Sequence, residues 1–374
     1  MQLNHVFSEE LNRPFNLASE DPIRLRLIQS PLGFGLVINI HHAAFDGWSA
    51  TVMLDDLAAL YRTACKGEAG LKMAKSGHAA NGTLKPLSIQ YADYSSWQQT
   101  LIPSSHREFW LSQFEAETLP ELRLSVDHPR PDSPSGQGAI VTGTFSQSSA
   151  QKLRDLAIQE GVTLFGVLLT LTVVHLYVQS GQTDFIVGTA VAGRDFPELE
   201  GQIGFYVNML PLRCQINPAQ PFHQQVSQFG QLARQALLHQ DYPFDALVYE
   251  VSHKPSAGRQ PFFDVVLNMQ NFKPMQLELE GSRTRLLKDR SISSKYDLMY
   301  MIDDLDSLDL YLEYASDLFE PSTAQTLADE FLSIAAAFAM EPAKTINDLL
   351  IPWRKKITAK KTVSEISVLK QTDW

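Results

Sequence analysis

From Pro22 to Ile28 apolar and polar residues alternate: Ile23, Leu25 and Leu27 against Arg24 and Arg26. That period of two predicts a half-buried β-strand. The turn Ser30-Pro31-Leu32-Gly33 leads to a second apolar run, Leu36 to Ile40, close enough to pair with the first as an antiparallel hairpin. The period then lengthens, and Ala50 to Tyr61 reads as a helix for which Asp46, Gly47 and Ser49 are suitable turn and N-cap residues. Residues 65–86 are polar and glycine-rich, a surface loop. Tyr91, Tyr94, Trp97 and Leu101 recur at helical spacing within Ser88 to Gln113. Pro129, Pro131 and Pro134 interrupt any regular element between Asp127 and Gly136 and mark a domain boundary. Beyond it, Ala139 to Phe145 reads as a strand. Ser148 and Gln151 form a capping box for a helix from Gln151 to Glu160, which Gly161 ends. Strands are expected at Phe185 to Val191, Gly204 to Ile216, Phe262 to Asn268 and Asp309 to Tyr314, and helices at Phe222 to His239 and Ser322 to Met340. The order of elements predicts an α/β (α+β) protein with an N-terminal domain over 1–127, a C-terminal domain over 128–350 and a solvated basic tail over 351–374.

The apolar run Val162 to Val178 contains Thr163, Thr170, Thr172 and His175 and is too short to span a bilayer, so it reads as a buried core helix. The charged residues Glu9, Glu10, Arg13, Glu20, Asp21, Arg24 and Arg26 are incompatible with a signal peptide. With 374 residues and 44% hydrophobic composition, the chain is long and apolar enough for two folded cores. Its net charge of −11 argues against nucleic acid as a partner, because phosphate binding needs a basic face. The two cysteines, Cys65 and Cys214, do not make a disulfide framework, and a reducing cytoplasm is the expected setting. No spacing of cysteines and histidines suggests a metal.

The chemistry concentrates in His41-His42-Ala43-Ala44-Phe45-Asp46-Gly47-Trp48-Ser49, between a strand and a helix. Neighbouring residues on a strand point to opposite faces, so one histidine should enter a cleft and the other pack inward. An imidazole titrates near neutrality and can take or give a proton there. Asp46 can hold backbone amides or an arginine. Gly47 allows close approach of a ligand and exposes an N–H able to steady a developing oxyanion.

This string resembles the signature of condensation domains from nonribosomal peptide synthetases: two histidines, three variable residues, Asp-Gly, then often Trp-Ser. Tyr91 to Trp97, Ile203 to Arg213, His239 to Asp245 and, more weakly, Arg259 to Val265 are similar to further family motifs in family order. The resemblance implies two lobes related to chloramphenicol acetyltransferase, forming a V. It implies an acyltransferase that joins a donor thioester to an acceptor amine as an amide. Both substrates would arrive on phosphopantetheine arms of donor and acceptor peptidyl carrier proteins, with other synthetase modules as further partners and no cofactor or metal held by the chain itself. By match of position, His42 faces the reaction centre, His41 is its structural neighbour, Asp46 is bonded to an arginine, and the Gly47 N–H lies near the thioester oxygen. Trp48, Asn208, Gln240, Asp241 and Arg259 are expected along the substrate tunnel, with Arg259 suited either to a pantetheine phosphate or to a plain surface salt bridge. Only 40 residues precede the double histidine, so the N-terminal lobe reads as incomplete. The family's arginine partner of Asp46 has no matching motif there, and Arg13, Arg24 and Arg26 are the stand-ins. The alternatives are a non-catalytic carrier-docking module, and epimerisation or ester formation on the same fold.

Overall fold

The computed structural model describes residues 6, 9–10, 13–31, 33–66, 84–101, 103–115, 119–251, 256–270, 276–285 and 292–357. Most of the expected loop at 65–86 and of the tail beyond Ile357 therefore lies outside the described residues. The chain divides into two compact units. The first comprises Met1–Leu101, Ala192–Val207 and Pro274–Leu287, and the second the remaining segments. The division thus falls at Leu101 and Ile102 instead of 127/128, and it is discontinuous. The proline-rich stretch belongs to the second unit, where the Asp127 amide bonds the Leu318 carbonyl.

In the first unit β1 (Ile23–Ser30) pairs antiparallel with β2 (Gly33–Ile40) in a two-stranded sheet, with Ile23 opposite Ile40 and Ser30 opposite Gly33. One face of this hairpin presents Leu25, Leu27 and Phe34 to solvent. The other carries Arg24, ion-paired with Glu20, and Arg26, ion-paired with the buried Glu10. After β2 the chain makes a short 3-10 turn, His42–Ala44, and enters α1 (Gly47–Ala64). Asp46 is the N-cap, accepting from the Ser49 amide at 2.8 Å, as its place before the helix requires. The helical stretch expected over Ser88 to Gln113 is two helices, α2 (Tyr91–Leu101) and α3 (Ser104–Gln113), because Pro103 cannot continue the first.

The second unit is built on a seven-stranded mixed sheet. It uses β3 (Gln137–Thr144), β4 (Asp184–Val191), β5 (Asn208–Gln215), β6 (Val265–Gln270), β7 (Ile292–Ser293), β8 (Leu298–Asp304) and β9 (Leu308–Ala315) in the order β5-β4-β6-β8-β9-β3-β7. The β4–β6 and β6–β8 pairs are parallel and the rest antiparallel. Strand β8, with Leu298, Tyr300 and Ile302 buried in alternation, has no counterpart among the elements read from sequence. Helices α4 (Gln147–Glu160), α5 (Leu164–Ser180), α6 (Phe222–Leu238) and α8 (Pro321–Met340) pack on one another and on the sheet, and α7 (Phe244–Val251) lies against α3. Gly166 to Ser180 of α5 are all buried, as the apolar run predicts. The cap of α4 is Ser146, accepting from the Ser149 amide, instead of a Ser148–Gln151 box, while Gly161 does end α4 in the left-handed region at φ 64°. Cys65 and Cys214 are both free. Among the described residues no single helix is long and apolar enough to cross a membrane.

Candidate active site in the first unit

The histidine turn is held from beneath by a buried ion pair. Asp46 and Arg194 are buried to 0% and 1% side-chain exposure, with the Arg194 Nη2 donating at 3.1 and 3.2 Å to the two Asp46 oxygens. Arg194 also donates to the Leu199 and Gln202 carbonyls and to Ser49 Oγ. Asp46 accepts further from the Ser49 and Tyr206 amides, so its lone pairs are well used. A buried pair is tolerable only when hydrogen bonds fill the remaining sites in this way. Arg194, not Arg13, Arg24 or Arg26, is therefore the partner of Asp46. Arg24 is occupied by Glu20, the carbonyls of Arg13 and Pro14 and the ring of Phe15, and Arg26 by Glu10.

Arg194 reaches Asp46 because the chain leaving β4 at Val191 joins the first unit before it enters β5 at Asn208. This connecting segment, 192–207, is not the strand expected from Gly204 onward. Its polar groups bond instead to the histidine turn and α2. Gly204 N–H donates to Ser49 Oγ at 3.0 Å, Ser49 Oγ donates to the Gly204 carbonyl at 2.9 Å, and Tyr91 Oη donates to the Phe205 carbonyl at 2.9 Å. Gly204 has no alternative here: a Cβ would lie 2.5 Å from the Tyr91 ring. Gly193 sits at φ 62°, where a Cβ would meet the Tyr206 carbonyl at 2.1 Å. Tyr206 stacks against Arg194, with the guanidinium carbon 4.2 Å from its ring centroid, and burial pushes its phenol up to about 12. It stays neutral and donates to Gln202.

The two histidines do part company, though through the 3-10 turn and not through strand alternation. His41 is the N-cap of that turn, its Nδ1 accepting from the Ala43 amide at 3.0 Å and its ring meeting Phe15 edge-on. His42 is exposed. Its Nδ1 lies 2.7 Å from the Phe45 carbonyl. A carbonyl can only accept, so Nδ1 carries the hydrogen and Nε2 keeps its lone pair in the neutral ring. Gly47 follows on the exposed side as the first residue of α1, where its N–H is one of the helix's orphan donors. A Cβ there would meet nothing within 4 Å. The Trp48 indole N–H donates to the Glu200 carbonyl at 2.9 Å, and its ring lies beside Arg194.

The remaining sequence candidates belong to the second unit. Asn208 closes the turn after α6: its amide donates to the Gln240 and Tyr242 carbonyls at 2.7 and 2.8 Å, and its oxygen accepts from Phe244 N–H at 3.0 Å. Gln240 and Asp241 are half-buried in that turn. Arg259 is committed to Asp264 and to the Leu122 carbonyl at 2.9 Å. Burial, with Asp297 nearby, pushes the Asp264 carboxyl up, and Arg259 opposes that. The guanidinium thus serves an internal pair, which leaves a phosphate little of its fork. Among the described residues no group of three or more histidine, cysteine, aspartate or glutamate side chains is arranged for a metal.

Sequence reasoning reached His41, His42, Asp46, Gly47 and Trp48, which the fold gathers in one turn; it noted Ser49 as a turn residue and Phe205 and Tyr206 within a family-like motif without giving them a part in the site, and it missed Arg194. The available signal was Gly193-Arg194-Asp195 immediately after the strand Phe185 to Val191, a cation at a glycine turn just beyond a buried strand.

The family model described as "Condensation domain" matches residues 1–356. The chain is 32% identical over 344 residues to chondramide synthase cmdD of Chondromyces crocatus, covering 90% of this chain and 8% of that protein. It is 32% identical over 365 residues to phosphinothricin tripeptide synthetase PhsC of Streptomyces viridochromogenes, covering 96% of this chain and 32% of that one. It therefore spans a third or less of each of these relatives. Among solved structures, the X-domain in a complex with OxyB from teicoplanin biosynthesis matches with a TM-score of 0.82 at 24% identity, over 93% of this chain and 77% of that one. The condensation domain of the monacolin K polyketide synthase MokA matches at 0.76 and 18% identity, over 92% and 78%. These likenesses show a chloramphenicol acetyltransferase-like fold.

Proposed function

Since the chain belongs to the condensation-domain family, we propose that it catalyses amide formation in nonribosomal peptide synthesis, joining a carrier-bound donor acyl or peptidyl thioester to a carrier-bound acceptor amine. The observation that carries this reading is His42: exposed, with Nδ1–H bound to the Phe45 carbonyl, so that in the neutral ring the lone pair is on Nε2. The acceptor nitrogen attacks the thioester carbonyl carbon. His42 Nε2 orients the amine and takes its proton as the C–N bond forms. The C–S bond then breaks, and the proton passes to the departing pantetheine thiolate. Atoms and charge balance with no outside oxidant or reductant. Gly47 supports the step by leaving room for the acyl group and by placing a helix N-terminal N–H where negative charge develops on oxygen. Asp46 and Arg194 touch neither substrate; they keep the turn in shape. Donor and acceptor carrier proteins supply both substrates on phosphopantetheine, so the partners are those proteins and the modules that hold them.

The test is a single-turnover assay with two loaded carrier proteins. His42→Ala should lower amide formation by about 100-fold or more, the usual worth of a positioned acid–base group. Undiminished product in that variant removes His42 from the role. Tight carrier binding by the unmodified protein without turnover replaces the reading with that of a docking module, and racemised aminoacyl thioester replaces it with epimerisation.

A further inference from the structure

Among the described residues, each histidine of the turn is flanked by one aromatic ring from a different part of the chain. Phe15 meets His41, and Phe205 meets His42 with centroids 5.3 Å apart and planes at 78°. The first contact belongs to a structural cap. The second bears on the reacting ring. Among the described residues His42 is otherwise held by one hydrogen bond, from Nδ1 to the Phe45 carbonyl, and that bond alone leaves an exposed imidazole free to rock about its own Cβ–Cγ axis. Edge-to-face packing removes that freedom, because a rotated ring loses the contact between the positive edge of one ring and the negative face of the other.

Phe205 is itself positioned with unusual care. The residues on both sides of it are stitched to the same turn, Gly204 through Ser49 Oγ and Tyr206 through Asp46 Oδ2. Its own carbonyl is held by Tyr91 Oη from α2. The backbone of Phe205 cannot shift relative to His42 without breaking bonds to Ser49, Asp46 or Tyr91. Its side chain remains about a third exposed, so it packs on the histidine at the open side of the turn and not in a core.

We propose that Phe205 is a positioning residue for the amide-forming step, holding the His42 imidazole in the Nδ1–H tautomer and in the orientation that points Nε2 at the acceptor nitrogen. The proposal rests on the reading of His42 given above. It makes the buried Asp46–Arg194–Tyr206 network the base on which one aromatic ring and one carbonyl fix the imidazole from two sides.

The experiment has a kinetic and a spectroscopic arm. In Phe205→Ala the turnover of the loaded carrier pair should fall about 10-fold, the scale of a lost aromatic pair. KM for the acceptor carrier should stay within about 2-fold, since no substrate contact is removed. Phe205→Tyr, which restores the ring, should recover turnover to within about 3-fold, and Phe205→Leu, which restores bulk alone, should not. Placed in His42→Ala, the Phe205→Ala change should cost nothing more, because it acts through the imidazole. Independently of activity, long-range 1H–15N spectra of histidine-labelled protein, with the His42 ring assigned by its loss in His42→Gln, should show one Nδ1–H tautomer. In Phe205→Ala they should show a tautomer mixture. An unchanged tautomer with unchanged turnover overturns the proposal, as does a full Phe205→Ala penalty in the His42→Ala background. If His42→Ala itself leaves amide formation intact, the functional reading fails, while the tautomer spectra still decide whether Phe205 holds the ring.

Discussion

Asp46 shows how far a single residue can be read before its surroundings are known. As a carboxylate one position ahead of a helix it had to be a cap, and it is one. Its burial brings a second demand that local sequence does not answer, a cation to neutralise it, and Arg194 meets that demand from 148 residues away. Removing one member strands the other in a desolvated place, so Arg194→Ala should destabilise the first unit by about 3–5 kcal/mol. Urea titration followed by hydrogen exchange in α1 and in 192–207 measures this; exchange as slow as in the unmodified protein contradicts it. Gly47 makes the opposite case. A Cβ there meets nothing within 4 Å, so an alanine fits the helix start without a clash. Gly47→Ala should therefore leave the thermal midpoint unchanged or raised while lowering turnover, because the methyl group enters the space that the proposed mechanism gives to the acyl group. A drop in stability matching the loss of turnover would assign the glycine to the fold instead.

At the scale of elements, periodicity located most helices and strands and misjudged their ends where something beyond periodicity intervened. Pro103 splits the helical stretch into α2 and α3. Gly204 to Val207 has the apolar run of a strand, yet its amides and carbonyls find partners in Ser49, Asp46 and Tyr91, so no ladder forms before Asn208. The crossing of α5 and α6 is equally invisible in either helix alone. A Cβ on Gly166 would lie 2.9 Å from the Gly230 Cα, and one on Gly230 would lie 2.3 Å from Val162. Gly230→Ala should accordingly destabilise by about 1–3 kcal/mol through overpacking, against the gain its helix propensity would suggest. Denaturant midpoints read the sign directly, and a stabilised variant would mean that the crossing has slack.

On the scale of the whole molecule, acid sensitivity should arise in the second unit, where α5, β8, α8 and the segment after it meet at one buried cluster. His175 Nδ1 lies 2.8 Å from Tyr300 Oη, Gln179 bridges His175 and Glu330, and Lys356 Nζ donates to Glu330 at 2.7 Å. Burial outweighs the pull of Glu330 and lowers the His175 pKa, so the ring is neutral in the fold. Burial alone would raise Glu330, but the His175 ring 3.6 Å away and the Lys356 ammonium that donates to it outweigh burial and hold the carboxyl at about 2. Both groups bind their protons more readily in the unfolded chain, so each contributes stability that is lost on acidification. Stability should be level above pH ~6.5, decline below it as unfolded-state His175 protonates, and decline further from ~4.5 toward 2 as Glu330 does. In His175→Gln the first of these declines should shrink in a series of urea midpoints against pH, leaving the smaller part due to His239, which burial and the neighbouring His106 also lower; a variant that keeps the full decline locates the titration elsewhere. The family, the α/β character, the buried helix α5 and the pair His42 and Asp46 were all legible along the chain, because periodicity, capping and a short ordered motif are local properties. Which arginine neutralises Asp46, which ring lies against His42, which carboxylate Arg259 pairs with and where the units divide were not. Those depend on pairings across well over a hundred residues or on competition for the same polar groups, and only a folded backbone brings such partners within hydrogen-bonding reach.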